Sequence, residues 1–303
     1  MTQPTFPDEI TASTLQAMLD PVIAVDARGQ IRFINSRAEK FTRYSSEELH
    51  GKNVDVLVPA SRRGGHRRNV SEYQDAPEAR EMGDRRGLGL RRKDGIIVPV
   101  AISLSPLVGS EEQIVITTVR DVSAQERRSK EELLLSEIES LVTAESDLEN
   151  IFSVVAANLP SIIRYDRMII ASVVPNTDLV ERVFVSGYTI PGLEKGTRAP
   201  RSDDYERPEL LRKSDFEGEY SESAARMIGQ QLAPELRTWI RVPLGDRSDP
   251  TGHTGLASLS DSNFDEDDLS LLERVASLIS PAIDNARLYL QIQKDVTERT
   301  TPA

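Results

Sequence analysis

The sequence predicts an α+β protein of two domains. Each is an antiparallel sheet with flanking helices, and the domains are joined and followed by long coiled-coil-like helices. Three observations carry this expectation. Short alternating apolar segments separated by Gly, Pro and Asp turn signals fall in two blocks, residues 21–119 and 168–259. Between them, residues 124–152 contain neither Gly nor Pro and are rich in Glu, Leu, Ser and Arg. The second block closes in a long segment whose apolar residues recur every three or four positions. A length of 303 residues fits two domains of ordinary size.

Composition narrows the function classes. Hydrophobic residues make up 38% and charged residues 28%, enough apolar material for two small cores. The formal net charge of -12 opposes phosphate backbones, and helix-turn-helix and zinc-finger spacings are absent, so no nucleic-acid partner is expected. With no cysteine, disulfides, thiolate metal sites and cysteine nucleophiles are excluded. The 3 histidines, His50, His66 and His253, are dispersed, and no multi-histidine metal site is expected. No apolar run approaches the about 20 residues that span a bilayer. The acidic start MTQPTFPDEI lacks a signal-peptide pattern. The expectation is therefore a cytoplasmic protein without a membrane partner. Basic residues crowd positions 62–93, either as a solvated face or as a site for an anion or propionate.

Element by element, residues 1–10 read as a loose leader and 10–19 as a short helix. Strands at 21–26 and 31–35 flank Arg28-Gly29 as a hairpin. Residues 35–41 suit a short helix, and Ser45 with Glu48 has the spacing of a capping box. Lys93-Asp94-Gly95 forms a turn into a strand at 96–105, followed by a strand at 113–119. Asp121-Val122-Ser123 closes that strand and opens the polar helix. Asp121 with Ser123 reads either as a local hydrogen bond that fixes how strand meets helix or as a plain helix cap. His66, Val70 and Tyr73 share one helical face. On the residues alone, His66 is a surface or capping histidine.

The text PVIAVDARGQIRFINSRAEKFTRYSSEELHGKNVDVLVP, with Asn35, Ala38, Phe41 and Gly51, resembles PAS sensory domains, and the likeness runs over residues 19–123. It implies a five-stranded antiparallel sheet whose concave face packs on short helices, with any ligand between them. Asp121 and Ser123 resemble the Asp-x-Thr junction of that family, which implies a signal-coupling role. The spacing of His66, Tyr73, Gly83, Arg86 and Arg92-Lys93-Asp94-Gly95 is similar to the haem-binding PAS domains of FixL-type oxygen-sensing kinases. That resemblance implies His66 as iron ligand, Arg86 reaching the distal side to hydrogen-bond oxygen, and Arg80 at a propionate. Haem is thus the candidate cofactor, with His66 the sole metal ligand expected.

In the second block, alternation at 168–174 and 180–186 precedes a polar region at 187–234. Paired strands at 239–244 and 255–259 follow. IIRYDRMIIASV, WIRVPL, GLASLS and NFDEDDLSLLERVASLISPAIDNARLY resemble a GAF domain in order. Phe264 and Asp268 match part of the cyclic-nucleotide GAF signature, whose Lys and final Glu are missing. Asp265, Glu266, Asp267 and Asp268 instead suit a helix N-terminus. Ser202-Asp203-Asp204 reads as a solvated loop and His253, in Thr-Gly-His-Thr-Gly, as a turn residue. The spacing of Leu134, Ile138 and Leu141, continued by Leu148 and Phe152, predicts a helix-pairing stripe. So does that of Leu272, Val275, Ile279, Ala282, Ala286 and Tyr289. Together they are the expected seam of a parallel homodimer; an amphipathic helix on a domain face is the alternative.

The expected organisation is a PAS domain with leader at 1–123, a helical linker at 124–144, a GAF domain at 145–293 and a polar tail at 294–303. The whole is similar to the input half of bacterial or archaeal sensor histidine kinases. No phosphoacceptor histidine on a dimerisation helix, ATP-binding segment or cyclase motif accompanies it. The expected function is therefore non-catalytic: a signal-sensing and relay module of a two-component-type system. Its expected partners are a second copy, a small-molecule ligand in a PAS or GAF pocket, and a separate output or kinase protein. The alternatives are a haem-based gas or redox sensor through His66 and a sensor histidine kinase lacking its catalytic domain.

Overall fold

The computed structural model describes residues 9–75, 78–82, 87–107, 113–144, 147–201, 208–212, 235–261 and 263–300. The chain divides into two units at Arg127/Arg128.

The first unit begins with helix α1 (Glu9–Ala17), strands β1 (Val22–Asp26) and β2 (Ile31–Ile34), and helices α2 (Ser36–Thr42) and α3 (Ser46–Leu49). Helix α4 (Arg63–Asp75) and strands β3 (Arg80–Met82), β4 (Gly89–Arg91), β5 (Ile97–Pro106) and β6 (Ile114–Asp121) follow. The sheet runs β2-β1-β6-β5-β3, all antiparallel, with β4 also paired to β5. Its apolar face packs Ile23, Ile31, Ile34, Val98, Val100 and Val119 against Ala38, Leu49 and Leu57.

Asn35 ties the N-terminal half of this unit together. Its fully buried side chain accepts from Val22 N–H at 3.0 Å and Ala38 N–H at 2.9 Å. Its Nδ2 donates to the carbonyls of Leu15 at 3.2 Å and Asp20 at 3.0 Å. One side chain thus caps α2 and anchors both the end of α1 and the start of β1. The capping box at α3 is formed as expected, with Ser45 and Glu48 bonded reciprocally.

Helix α5 (Ser123–Thr143) crosses the unit boundary, and its remainder belongs to the second unit with helix α6 (Leu148–Asn158). Strands β7 (Arg167–Val173), β8 (Leu179–Gly187), β9 (Arg198–Pro200), β10 (Glu209–Arg212), β11 (Thr238–Asp246) and β12 (Asp249–Ser258) follow. Helix α7 (Glu266–Thr300) closes the unit. The antiparallel sheet has the order β10-β11-β12-β7-β8-β9. Strand alternation sends Met168, Ile170, Ile240, Val242, Leu244 and Leu256 to the helix side, where Ile151, Phe152, Val155, Leu271 and Leu272 complete the core. Asp265 and Asp268 exchange backbone-to-carboxylate hydrogen bonds of 3.1 and 2.9 Å at the start of α7, the capping role expected for them.

Three expectations are corrected here. The helical stripe over 134–152 is not continuous: α5 ends at Thr143 and α6 begins at Leu148. Leu134, Ile138, Leu272, Val275 and Ile279 are not seam positions, because all are buried in the core of their own chain. Leu141 and Ala282 pack half-buried against that core, Ala286 is half-buried, and the Tyr289 side chain lies outside the described residues. The periodicity was that of a helix facing its own sheet, which a 3-4 spacing does not distinguish from helix pairing. Residues 294–300 are helical in α7 rather than a tail. Ile138→Ala should accordingly destabilise the second unit by about 2–5 kcal/mol in urea denaturation, independently of protein concentration. A seam residue would show a loss that vanishes on dilution.

Candidate functional site

Two places in the first unit gather functional side chains. The first is the join of β6 to α5. Ser123 N–H donates to Asp121 Oδ1 at 2.9 Å and Val122 N–H to the Pro99 carbonyl at 3.1 Å, so strand passes into helix without a loop. The other Asp121 oxygen lies 3.8 Å from Arg92 Nη2. The Arg92 guanidinium in turn lies 4.7 Å from the centroid of the Phe41 ring on α2. Lys93 and Asp94, at the tip of the same β4–β5 turn, pair with Glu48 at 2.6 Å and Arg43 at 2.5 Å. Arg92 therefore links the helical layer to the strand exit. Spacing along the chain shows Arg92 as part of a turn motif and of the haem-PAS pattern but not as a partner of Phe41, a contact that spans half the unit.

The second place surrounds His66 on α4. Its Nδ1 lies 2.8 Å from Asp55 Oδ1, and Arg67 Nε donates to Asp55 Oδ2. Asp55 is buried on a 3-10 turn (Val54–Leu57) capped by Asn53. Burial pushes the Asp55 carboxyl up, but the bonds from Arg67 and His66 outweigh it and hold it below its ordinary value. The His66 side chain is 30% exposed. Tyr73, one face-turn along, is buried and donates to the Glu78 carbonyl at 2.7 Å. The Arg80 guanidinium lies over its ring at 4.7 Å, at an exposed position on β3. Gly83 and Arg86 lie outside the described residues.

A metal-binding imidazole characteristically holds one ring nitrogen on a carboxylate and turns the other to the metal. His66 with Asp55 meets the first half of that requirement, and Nε2 is the nitrogen that would face a haem iron.

The second unit presents a different site on the sheet face away from its helices. A cavity of about 100 Å³ lies there, lined by Arg167, Arg182, Arg241, His253, Trp239 and apolar neighbours. His253 is not the expected turn residue: it is buried within β12, opposite Pro243 on one side and Ala171 on the other. The flanking glycines suggested a turn, yet they serve close strand packing. A Cβ at Gly252 would lie 2.1 Å from the Ala171 carbonyl oxygen. Burial, then the charges of Arg241 and Arg182, push the His253 imidazole down to about 3. Strand period gives Arg167 and Arg241 the face opposite the core, whereas Arg182 reaches it only through the register shift at Ile170/Ala171, which the sequence does not signal.

Comparison with known proteins agrees with the first unit's architecture. Residues 10–122 match the family model described as PAS fold. The oxygen sensor protein DosP of Escherichia coli is 29% identical over 118 residues, 39% of this chain and 15% of that protein. The sensor protein FixL of Bradyrhizobium diazoefficiens is 28% identical over 127 residues, 42% of this chain and 25% of that protein. The matched segment is thus a quarter or less of either relative. A solved PAS domain of an HTR-like protein from Haloarcula marismortui has a TM-score of 0.31 at 18% identity, covering 37% of this chain and 88% of that one. The first unit is a PAS domain, similar in sequence to segments of the sensor proteins FixL and DosP. No helix among the described residues is long and apolar enough to cross a membrane.

Both histidine environments carry a pH prediction. The folded Asp55 pKa lies below its unfolded value, so its contribution is present above about pH 4 and is lost as pH falls further. Asp55→Asn should then destabilise by about 1–3 kcal/mol at pH 7, and by progressively less as pH falls below about 4. The folded His253 pKa is also depressed, so below about pH 6.5 the unfolded chain takes up a proton that the buried imidazole refuses. Stability of the second unit should fall by up to about 1.4 kcal/mol per pH unit from pH 6.5 toward 3, and His253→Gln should flatten that slope. Urea denaturation followed by the emission of Trp239, the chain's 1 tryptophan, reads the second effect.

Proposed function

We propose that the chain is a sensory relay module. A change in the PAS unit alters how strand β6 presents its end, and helix α5 carries that change onward to an output protein such as a kinase. The observation that supports this reading most is the loop-free join, in which Asp121 holds both the first helical N–H and Arg92. Its resemblance to the Asp-x-Thr junction and the relationship to sensor proteins point the same way. Asp121→Asn should speed amide exchange in the first two turns of α5 about five- to tenfold, while β11 and β12 stay unchanged. Unchanged exchange in α5 would contradict the relay reading.

The reading includes a homodimer. Helix α7 is 35 residues long, about 50 Å, and among its described side chains the last in the core is Ile283. A helical extension beyond its core has little stability alone, and pairing with a second copy supplies the missing contacts. Leu288, 56% exposed on that extension, is a contact of such a pair. Sedimentation equilibrium should report a dimer, shifted toward monomer by Leu288→Glu. A monomer at every concentration would remove the dimer from the account.

A second reading is favoured by the His66–Asp55 pair. In it the PAS unit is a haem-based gas or redox sensor. His66 would hold the iron through Nε2, with Asp55 fixing its tautomer and Arg80 close to a propionate. Haem would supply the ligand-binding centre. Protein supplemented with haem should show a sharp Soret band that His66→Ala abolishes, and Asp55→Asn should weaken haem retention about 10–100-fold. A colourless wild-type protein would eliminate this reading.

A further inference from the structure

Helix α7 carries a proline in its interior, Pro281. Proline has no N–H, so the Ser277 carbonyl lacks its partner four residues on, and the pyrrolidine ring crowds that carbonyl. Ser277 and Pro281 both lie on the exposed side of the helix. The opposite side is held in the core: Ala276, Ile279 and Ile283 are buried, and so is the polar Ser280. At this turn the helix is weakened along its outer edge and held along its inner edge.

The hold on the inner edge comes from the sheet. The hairpin of β11 and β12 changes register between Leu244 and Gly245. Gly245 sits at φ +82°, and a Cβ there would lie 2.8 Å from Thr251 Oγ1. At this irregularity the Gly245 N–H donates to Ser280 Oγ on α7 at 2.9 Å. Ser280 Oγ donates in turn to the Ala276 carbonyl at 2.7 Å. A chain of two hydrogen bonds thus runs from sheet backbone through one hydroxyl into helix backbone, immediately before the proline. Two turns earlier the hairpin touches the helix again, Arg247 on Glu273 at 2.8 Å, but there Arg247 is exposed and an ion pair adds little. Past the proline the inner edge is unsettled. Asp284, one turn on from Ser280, has its Oδ1 buried with no hydrogen-bond partner among the described residues. A buried acceptor without a donor is costly, so that turn gains by opening to water.

We propose that Pro281 is a hinge in α7 and that the β11–β12 hairpin holds it closed through Ser280. With the Gly245–Ser280 bond made, the segments on either side of Pro281 continue as one helix. When the hairpin shifts and that bond breaks, the turn carrying Asp284 opens, and the helix beyond it is uncoupled from the sheet. The state of the second sheet thereby decides whether residues 281–300 continue the direction of residues 266–280. Ser280 acts through the backbone around it and is a positioning residue. The device lies within one chain and rests on none of the relay, dimer and haem readings.

The test follows amide exchange along α7 in the full chain at two protein concentrations. Ser280→Ala should speed exchange at residues 282–288 about five- to tenfold and leave residues 268–276 and strand β7 unchanged. Pro281→Ala, at an exposed position, supplies the missing N–H and should slow exchange at residues 282–288. In that background Ser280→Ala should speed exchange by less than about twofold, because the hinge is gone. No change in Ser280→Ala would overturn the proposal. So would an acceleration spread over β7 and the whole of α7, or one undiminished in the Pro281→Ala background. A difference seen at one concentration only would overturn it too, since a second copy and not the hairpin would then hold the segment. Should Ser280→Ala not fold, Pro281→Ala decides alone: slower exchange confined to residues 282–288 supports the hinge, and unchanged exchange removes it.

Discussion

Strand β6 is hydrogen-bonded on both edges, to β1 and to β5, and its last residue holds the first N–H of the helix that follows. Paired on both sides, a central strand has little freedom to move apart from its sheet. In the proposed relay, displacement of the sheet would be felt at Asp121. Because Val122 is itself bonded to Pro99 on β5, no flexible segment separates sheet from helix. Arg92 adds a second route to the same carboxylate, from the Phe41 ring on α2. Sheet and helical layer thus converge on one side chain, and the relay reading depends on that convergence.

The second unit depends on the two faces of one sheet. Its helix side is dense with aliphatic side chains, including the Phe152–Phe184 pair with ring centroids 5.6 Å apart. The opposite face carries three arginines, a buried histidine and a tryptophan around small residues. A single strand supplies both faces by alternation: in β11, Ile240, Val242 and Leu244 enter the core while Trp239 and Arg241 line the cavity. The stability of one face thereby supports the charged arrangement on the other.

Much of the fold was legible because local chemistry dictates it. The Ser45–Glu48 box, the Asp265–Asp268 cap and the Asp121–Ser123 bond all join residues within three positions, where spacing alone specifies geometry. What was not legible required tertiary partners. The stripes through Ile138 and Val275 have a spacing that serves a helix seam and a helix-on-sheet core equally, and the sheet decided between them. His66 was identifiable as a candidate, but its partner Asp55 was not, because a 3-10 turn eleven residues away brings the carboxylate to it. His253 was misread because glycines that permit close strands look, in sequence, like glycines that permit turns. Arg167, Arg182 and Arg241 are scattered along the chain and meet only through strand register.

The central claim is that the sheet and helix α5 move as one because nothing flexible lies between them. Its most direct test compares amide exchange in α5 with and without two glycines inserted between Val122 and Ser123. In each background the PAS sheet is perturbed at a distance by Asn35→Ala, which loosens the junction of α1, β1 and α2. The account predicts that Asn35→Ala accelerates exchange in the first turns of α5 only where the join is intact, and that the glycine insertion abolishes the response. An equal response in both backgrounds, or none in the intact chain, would contradict it.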